Sequence, residues 1–313
     1  MVATAIELAN DPLQTILVAT DFSETASLTL DRALDIAKLH ESEIVLLHVM
    51  QPELPVAATA EMVVVPPDYE KLLREASTEG LTDCANRVRE AGLRVREVLE
   101  IGPAARKITA CADAVQADLI MIGTRGNTGF KRLLLGSVAK EVVRIAKQPV
   151  LTVHPGDDRP IEPVRTLLFP TDFSATADFA LSVASRLLVG SDQAKILLVH
   201  TFQIASTVVP IGGFGKGAIP HLVENAQQLA EKATAPAVQA LRARGLEVEV
   251  IVDRGDPAEI VIELAAEHGV DVIVMGTRGH SKIRQFLLGS TAERVVEHAP
   301  CPVMTVHALA KDG

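Results

Sequence analysis

Two spacings of apolar residues alternate along the chain, and the whole alternation runs through twice. Short apolar runs such as Ile16-Leu17-Val18-Ala19 and Ile44-Val45-Leu46-Leu47 have the length of strands buried on both faces. Between them lie longer amphipathic segments, the pattern of helices with one buried face. On this reading the first half has strands near 14–19, 43–49, 93–99, 117–122 and 149–153, and helices near 25–40, 68–91, 103–116 and 137–147. The second half has strands near 165–170, 195–201, 246–252, 271–275 and 302–306, and helices near 175–189, 219–244, 256–268 and 290–298. Asp256-Pro257-Ala258-Glu259 marks one helix start by itself: an N-cap Asp, Pro in the first turn and a Glu placed to close a capping box. Strands alternating with helices at this spacing imply right-handed crossovers and a parallel, doubly wound sheet, an α/β fold.

Laid on the first half, the second corresponds end to end. Thr15 to Ser23 matches Thr166 to Ser174 at an offset of 151, with Thr-Asp-Phe-Ser closing both. Ile44 to Val49 matches Ile196 to Thr201 at 152, and Ala117 to Gly123 matches Val270 to Gly276 at 153. The period is a full domain length, which means a duplicated domain rather than a solenoid. A stretch with three prolines between His154 and Pro163 reads as a short, stiff linker. The expected organisation is one domain over 1–155, a linker over 156–163 and a second domain over 164–313.

Composition refines this picture. The 313 residues suffice for two domains, and 48% are hydrophobic, so each half can bury a core without disulfides or metals. Aromatics are 3% with no Trp, which leaves Val, Ile, Leu and Ala to fill that core. A net charge of -10 argues against nucleic acid as a partner. Cys84, Cys111 and Cys301 form no C-x-x-C pair and are expected to be reduced thiols, without a metal, in a cytoplasmic setting. The N-terminus has no basic region followed by a long apolar run, and no run of ~20 apolar residues occurs, so neither a signal peptide nor a membrane span is expected.

The chemistry is concentrated in one spacing that occurs twice. Gly123-Thr124-Arg125-Gly126 is followed nine residues later by Gly136-Ser137, and Gly276-Thr277-Arg278-Gly279 likewise by Gly289-Ser290. Each set leaves an apolar strand and enters a helix, where free N–H groups and a positive dipole end favour a phosphate. If the first and fourth strands flank the point where strand order reverses, Asp21 and Asp172 share a crevice with these glycines. A plain turn with a serine N-cap is the alternative reading of each copy alone. Gly212 to Gly217 fails the P-loop pattern and reads as a loop. His48 and His200 end apolar strands and read as hydrogen-bonded interior histidines rather than bases. Arg125 and Arg278 read equally well as phosphate contacts or solvated loop residues. Val63 to Pro67 reads as a lid, a partner contact or cover for a sheet edge.

The glycine spacing, Thr-Asp-Phe-Ser after the first strand and His-Val or His-Thr ending the second together resemble the universal stress protein family. The resemblance spans nearly the whole chain, as a tandem of two such domains. It implies, in each half, a Rossmann-like five-stranded parallel sheet in the order 3-2-1-4-5 with helices on both faces, and ATP binding as in the ATP-binding branch. It implies that Asp21 and Asp172 contact the ribose or the metal-bound phosphates, with Mg²⁺ as a companion of the nucleotide, and that the backbones of Val49 and Thr201 meet adenine. Gly123, Gly126, Gly136, Ser137 and Val138, and in the repeat Gly276, Gly279, Gly289, Ser290 and Thr291, would hold ribose and phosphates.

The implied role is a cytoplasmic, nucleotide-dependent stress regulator with no assigned catalytic residue. A slow ATPase or nucleotidyl-transfer enzyme and a nucleotide-free interaction module are the alternatives. Two departures stand out: Gly102-Pro103 lacks the middle residue of the family's Gly-x-Pro, kept in Gly255-Asp256-Pro257, which suggests a reshaped loop. Lys140 also stands where Glu293 supplies the usual acid. The edge strands at Val150 to Val153 and Val303 to Val306 imply intramolecular pairing of the two domains, with homodimerisation as a further option.

Overall fold

The structure, a computed structural model, describes residues 8–9, 11–51, 68–126, 135–157, 163–191, 194–203, 218–277 and 288–307. The chain forms two compact units. One is Leu13–Gly156; the other begins at Asp157 and also takes in the N-terminal residues Leu8, Ala9, Asp11 and Pro12. The Gly212 to Gly217 loop and the Val63 to Pro67 segment lie outside the described residues.

In the first unit the order is β1 (Thr15–Thr20), α1 (Glu24–His40), β2 (Glu43–Met50), α2 (Tyr69–Glu90), β3 (Arg94–Ile101), α3 (Ala104–Ala114), β4 (Leu119–Gly123), α4 (Ser137–Ile145) and β5 (Val150–Val153). All strand pairs are parallel: β1 with β2 and β4, β2 with β3, β4 with β5. The strands therefore stand in the order β3-β2-β1-β4-β5. Ile16, Leu17, Val18, Ile44, Val45, Ile120 and Met121 are fully buried. Consecutive side chains on a strand face opposite ways, so helices must cover both faces of the sheet. That layering explains unbroken apolar runs where a one-sided sheet would alternate.

The second unit repeats the series with β6 (Thr166–Pro170), α5 (Ala175–Ala184), β7 (Lys195–Phe202), α6 (Ala218–Arg242), β8 (Glu247–Arg254), α7 (Pro257–Glu267), β9 (Val272–Gly276), α8 (Ser290–His298) and β10 (Val303–Val306). Its pairs are again parallel, β6 lying between β7 and β9. The helix expected over 175–189 splits: α5 stops at Ala184 and a tighter 3-10 turn covers Ser185–Leu188. Ser185 Oγ donates to the carbonyls of Ser182 (2.7 Å) and Ala9 (2.8 Å), a side-chain competition that favours such departures from the α-helix.

Two local devices recur in both units. Asp118 Oδ2 accepts from the N–H groups of Gln14 (2.7 Å) and Thr15 (3.0 Å), and Asp271 Oδ2 accepts from Arg165 and Thr166, both at 2.8 Å. Each carboxylate thus holds the start of its unit's central strand. The loop after the third strand is also of equal length in both. Gly102 donates to Met50 O at 3.1 Å and Gly255 to Phe202 O at 3.2 Å, and α3 and α7 each begin two residues later. Nothing is missing from the first-half loop: Pro103 stands at the N-cap where the second half has Asp256. The capping box at α7 is half formed. Asp256 Oδ1 accepts from Ala258 (3.0 Å) and Glu259 (3.1 Å), but the Glu259 carboxylate is taken by Arg294 at 3.1 Å.

Candidate nucleotide site

β1 and β4 are neighbours, yet the chain runs outward from β1 through β2 and β3 before returning to β4. A crevice opens beyond their carboxyl ends at such a reversal. On the β1 side the turn is fixed by three caps in succession. Thr20 Oγ1 accepts from Phe22 N–H (3.0 Å), Asp21 Oδ1 from Ser23 N–H (3.1 Å) and Ser23 Oγ from Ala26 N–H (3.2 Å). Phe22 is held at φ 63°, a left-handed conformation that costs an L residue about 1–2 kcal/mol. Its ring stacks on His48 with centroids 4.4 Å apart, and α2 packs so close that a Cβ on Gly80 would lie 2.9 Å from it. His48 Nδ1 is 2.8 Å from Thr20 O. A carbonyl only accepts, so Nδ1 carries the proton, and that hydrogen is committed to the backbone.

On the β4 side, Thr124 N–H donates to Val153 O (2.8 Å) and Thr124 O accepts from Gly136 N–H (2.8 Å). The strand tip is thereby tied to the N-cap of α4. The glycines here are needed for room. A Cβ at Gly123 would lie 2.9 Å from Thr25 Cγ2, one at Gly126 would overlap the Asp21 carboxylate, and one at Gly136 would press on Thr124 O at 3.2 Å. Gly136 is the N-cap of α4 and offers no side-chain acceptor, and α4 has no acid in its first turn. Its leading N–H groups have no partner within the helix.

These elements enclose a cavity of about 520 Å³, a volume suited to a small organic ligand. Asp21, Val49, Gly123, Gly126, Gly136, Ser137 and Val138 all line it, and Leu47, Leu73, Ile108 and Ile122 supply apolar wall. Asp21 is the one carboxylate among these lining residues, and Arg125 joins them from the glycine loop. A neighbouring cavity of about 470 Å³ shares Gln51, Ala104, Ser137 and Val138 and adds Pro103 and Glu141. Val49 contributes backbone. β1 ends opposite His48, so β2 outruns it. Met50 O is turned toward β3, where it accepts from Gly102. Neighbouring strand residues point their polar groups to opposite sides, so Val49 turns toward β1; the pairing of Thr20 with His48 places its N–H on Thr20 O, and its C=O, beyond the end of β1, faces the cleft.

The second unit reproduces this frame. Asp172 Oδ1 accepts from Ser174 N–H at 3.1 Å, Phe173 is held at φ 62° and stacks on His200 at 4.2 Å, and His200 Nδ1 lies 2.9 Å from Thr171 O. Thr201 lies in β7 opposite Asp253, and Gly276 ends β9. Gly289 caps α8 and donates to Thr277 O at 3.0 Å, with Ser290 and Thr291 in the first turn. Gly279 and Arg278 lie outside the described residues.

The sequence pattern that defines the universal stress protein family matches residues 12–154 and again 163–307. The chain belongs to the universal stress protein family. It is 27% identical over 303 residues to a universal stress protein of Mycolicibacterium smegmatis, across 93% of this chain and 96% of that one. A universal stress protein of Methanocaldococcus jannaschii is 32% identical over 142 residues, 44% of this chain and 80% of that one. The crystal structure of an Archaeoglobus fulgidus universal stress protein shares the fold, with a TM-score of 0.68 and 24% identity over 94% of this chain and 98% of that one.

Within this universal stress protein, the structure adds residues outside the glycine motif. Thr20 and Thr171 are the acceptors that hold the strained Phe residues, and Asp178 stands beside Asp172. Burial and the Asp172 charge together push the Asp178 carboxyl up. Thr20 and Thr171 were readable from the repeat as part of Thr-Asp-Phe-Ser. Asp178 is not, because Ser27 occupies its place in the first half. Cys84 and Cys111 are half-buried, Cys301 is buried, and none of the three is in a disulfide. Burial pushes the Cys84 and Cys111 thiols up, away from the reactive thiolate. Among the described residues no cluster of three or more His, Cys, Asp or Glu could hold a metal, and no helix is long and apolar enough to cross a membrane.

Proposed function

We propose that this universal stress protein binds an adenine nucleotide, ATP in the first instance, in the cavity of the first unit and at the equivalent place in the second, as a regulatory module. The observation that carries the reading is a convergence in one cavity. An uncapped helix mouth, a glycine loop tied to it, the Asp21 carboxylate and the open carbonyl of Val49 all face the same 520 Å³.

Each part suits one part of the ligand. The open C=O of Val49 complements the amino donor on the edge of adenine. Asp21 accepts from ribose hydroxyls. The N–H groups of Ser137 and Val138, the Ser137 hydroxyl and the positive end of α4 meet phosphate oxygens. In the second unit Thr201, Asp172, Ser290 and Thr291 take these parts. A Mg²⁺ ion fits as a companion of the phosphates, since Asp21 is the one carboxylate among the described residues that line the cavity. Binding without strong turnover suits a site whose histidine commits its Nδ1 hydrogen to the Thr20 carbonyl. A cytoplasmic stress-response role fits the reduced cysteines and the family.

Calorimetry of the full chain with ATP, ADP and AMP, paired with mass spectrometry of small molecules retained through gentle purification, tests this. We expect saturable heat with up to two equivalents, and stabilisation of about 2.7 kcal/mol at a hundredfold excess over Kd. No heat with any of the three, and no retained nucleotide, overturns the reading.

A further inference from the structure

The two units share a backbone frame but differ in the charge at the helix starts around it. At six equivalent positions near the starts of these helices the first unit has Glu24, Ser27, Pro103, Arg106, Lys140 and Glu141, a net charge of 0; the second has Ala175, Asp178, Asp256, Glu259, Glu293 and Arg294, a net -3. Neither α3 nor α4 carries an acid in its first turn, whereas α7 has Glu259 and α8 has Glu293.

The difference reaches the helix mouths themselves. At α7 the Asp256 carboxylate already accepts the N–H groups of Ala258 and Glu259, and Arg294 binds that same oxygen at 2.8 Å and Glu259 at 3.1 Å. The internal carboxylate neutralises the positive helix end, and Arg294 is held in ion pairs with both acids. At α3 the equivalent residue is Pro103, which has no side-chain acceptor, and Pro103 and Ala104 line the cavity that adjoins α4. Asp178, in the first turn of α5, adds a second carboxylate close enough to Asp172 to feel its charge.

We propose that the two sites differ in the ligand charge they accept: the first-unit site takes the uncomplexed polyphosphate, while the second takes it much more weakly unless a divalent cation neutralises its phosphates. This rests on the nucleotide reading above and assigns the tighter metal-free site to residues 13–156. Opposite charges at a helix end strengthen anion binding, and carboxylates placed there weaken it.

The test is calorimetry of the full chain with ATP in EDTA and again with excess Mg²⁺, on the wild type and on Lys140→Glu and Glu293→Lys. In EDTA we expect two classes of site at least about tenfold apart, a gap that Mg²⁺ narrows. Lys140→Glu should weaken the tight class about threefold to tenfold in EDTA, and Glu293→Lys should strengthen the weak class by a similar factor. Circular dichroism checks that each variant is folded, and Asp178→Ser, which restores the first-unit residue, should also strengthen the weak class. Two classes of equal affinity in EDTA, or substitutions that leave both unmoved, overturn the inference while the nucleotide reading stands. Absence of heat with ATP in both media overturns the nucleotide reading and this inference with it.

Discussion

Gly126 shows what one missing side chain secures. It is exposed, so burial places no demand on it, yet a Cβ there would overlap the Asp21 carboxylate. That carboxylate also accepts from Ser23 N–H, so it is held from one side by the turn and approached from the other by the glycine loop. We expect Gly126→Ala to turn Asp21 out of the cavity. Because the displaced group is the far end of a flexible side chain, stability should change by less than about 1 kcal/mol, while nucleotide affinity in the first unit falls about tenfold or more. Calorimetry beside a urea titration separates the two effects, and unchanged affinity would remove Asp21 from the site. The spacing of the glycines is legible in the sequence; what each must clear is not. Phe22 carries the same lesson, since Thr-Asp-Phe-Ser is visible as a repeat. That the Thr and Asp caps force the Phe to a positive φ shows only when the backbone is seen.

At the level of elements, strand and helix positions follow from hydrophobic spacing almost throughout, because strands buried on both faces leave an unmistakable run. Capping is less transparent. The sequence points to Asp256 as an N-cap, which it is, but Glu259 turns to Arg294 instead of back to the helix start. Their partnership joins helices 35 residues apart, beyond any local pattern. The backbone N–H of Glu259, followed by Arg294 and Ala258, holds the Asp256 carboxyl below its ordinary value. A depressed carboxylate contributes stability that is fully present above the unfolded pKa, about 3.9, and is lost as pH falls through the lower folded value. We therefore expect the amide shifts of Ala258 and Glu259 to titrate with a midpoint below 3.9, and Arg294→Ala to move that midpoint upward. In the first unit α3 has Pro103 at its N-cap and carries no acid in its first turn, so the Ala105 and Arg106 amides should lack this transition. A midpoint at the ordinary aspartate value would show that the cap is not formed in solution.

For the whole molecule, the duplicated architecture is plain from the repeat, but the assignment of the N-terminus is not. Equal halves suggest that residues before Leu13 belong with the first domain, whereas Leu8, Ala9, Asp11 and Pro12 pack with the second unit. Arg244 donates to the carbonyls of Leu8 (2.7 Å) and Ala9 (3.2 Å), and Arg186 donates to those of Asp11 (3.1 Å) and Pro12 (3.0 Å) while pairing with the Asp11 carboxylate at 2.9 Å. All but one of these acceptors are main-chain oxygens, which every residue offers, so no side-chain pattern could announce the strap. A hydrogen bond to a charged donor contributes about 1.5–3 kcal/mol, and Arg186 is largely covered, its side chain 13% exposed. We expect deletion of residues 1–12 to lower the melting temperature of the second unit by about 3–8 °C, at roughly 2–4 °C per kcal/mol. Exchange protection in α5 and α6 should fall while that of β1 and β2 is kept. Arg244→Ala alone should reproduce part of the loss. Because Arg244 acts on the strap, the two changes share one interaction and must combine to less than their sum. Full additivity would mean that Arg244 stabilises the second unit by some route other than Leu8 and Ala9.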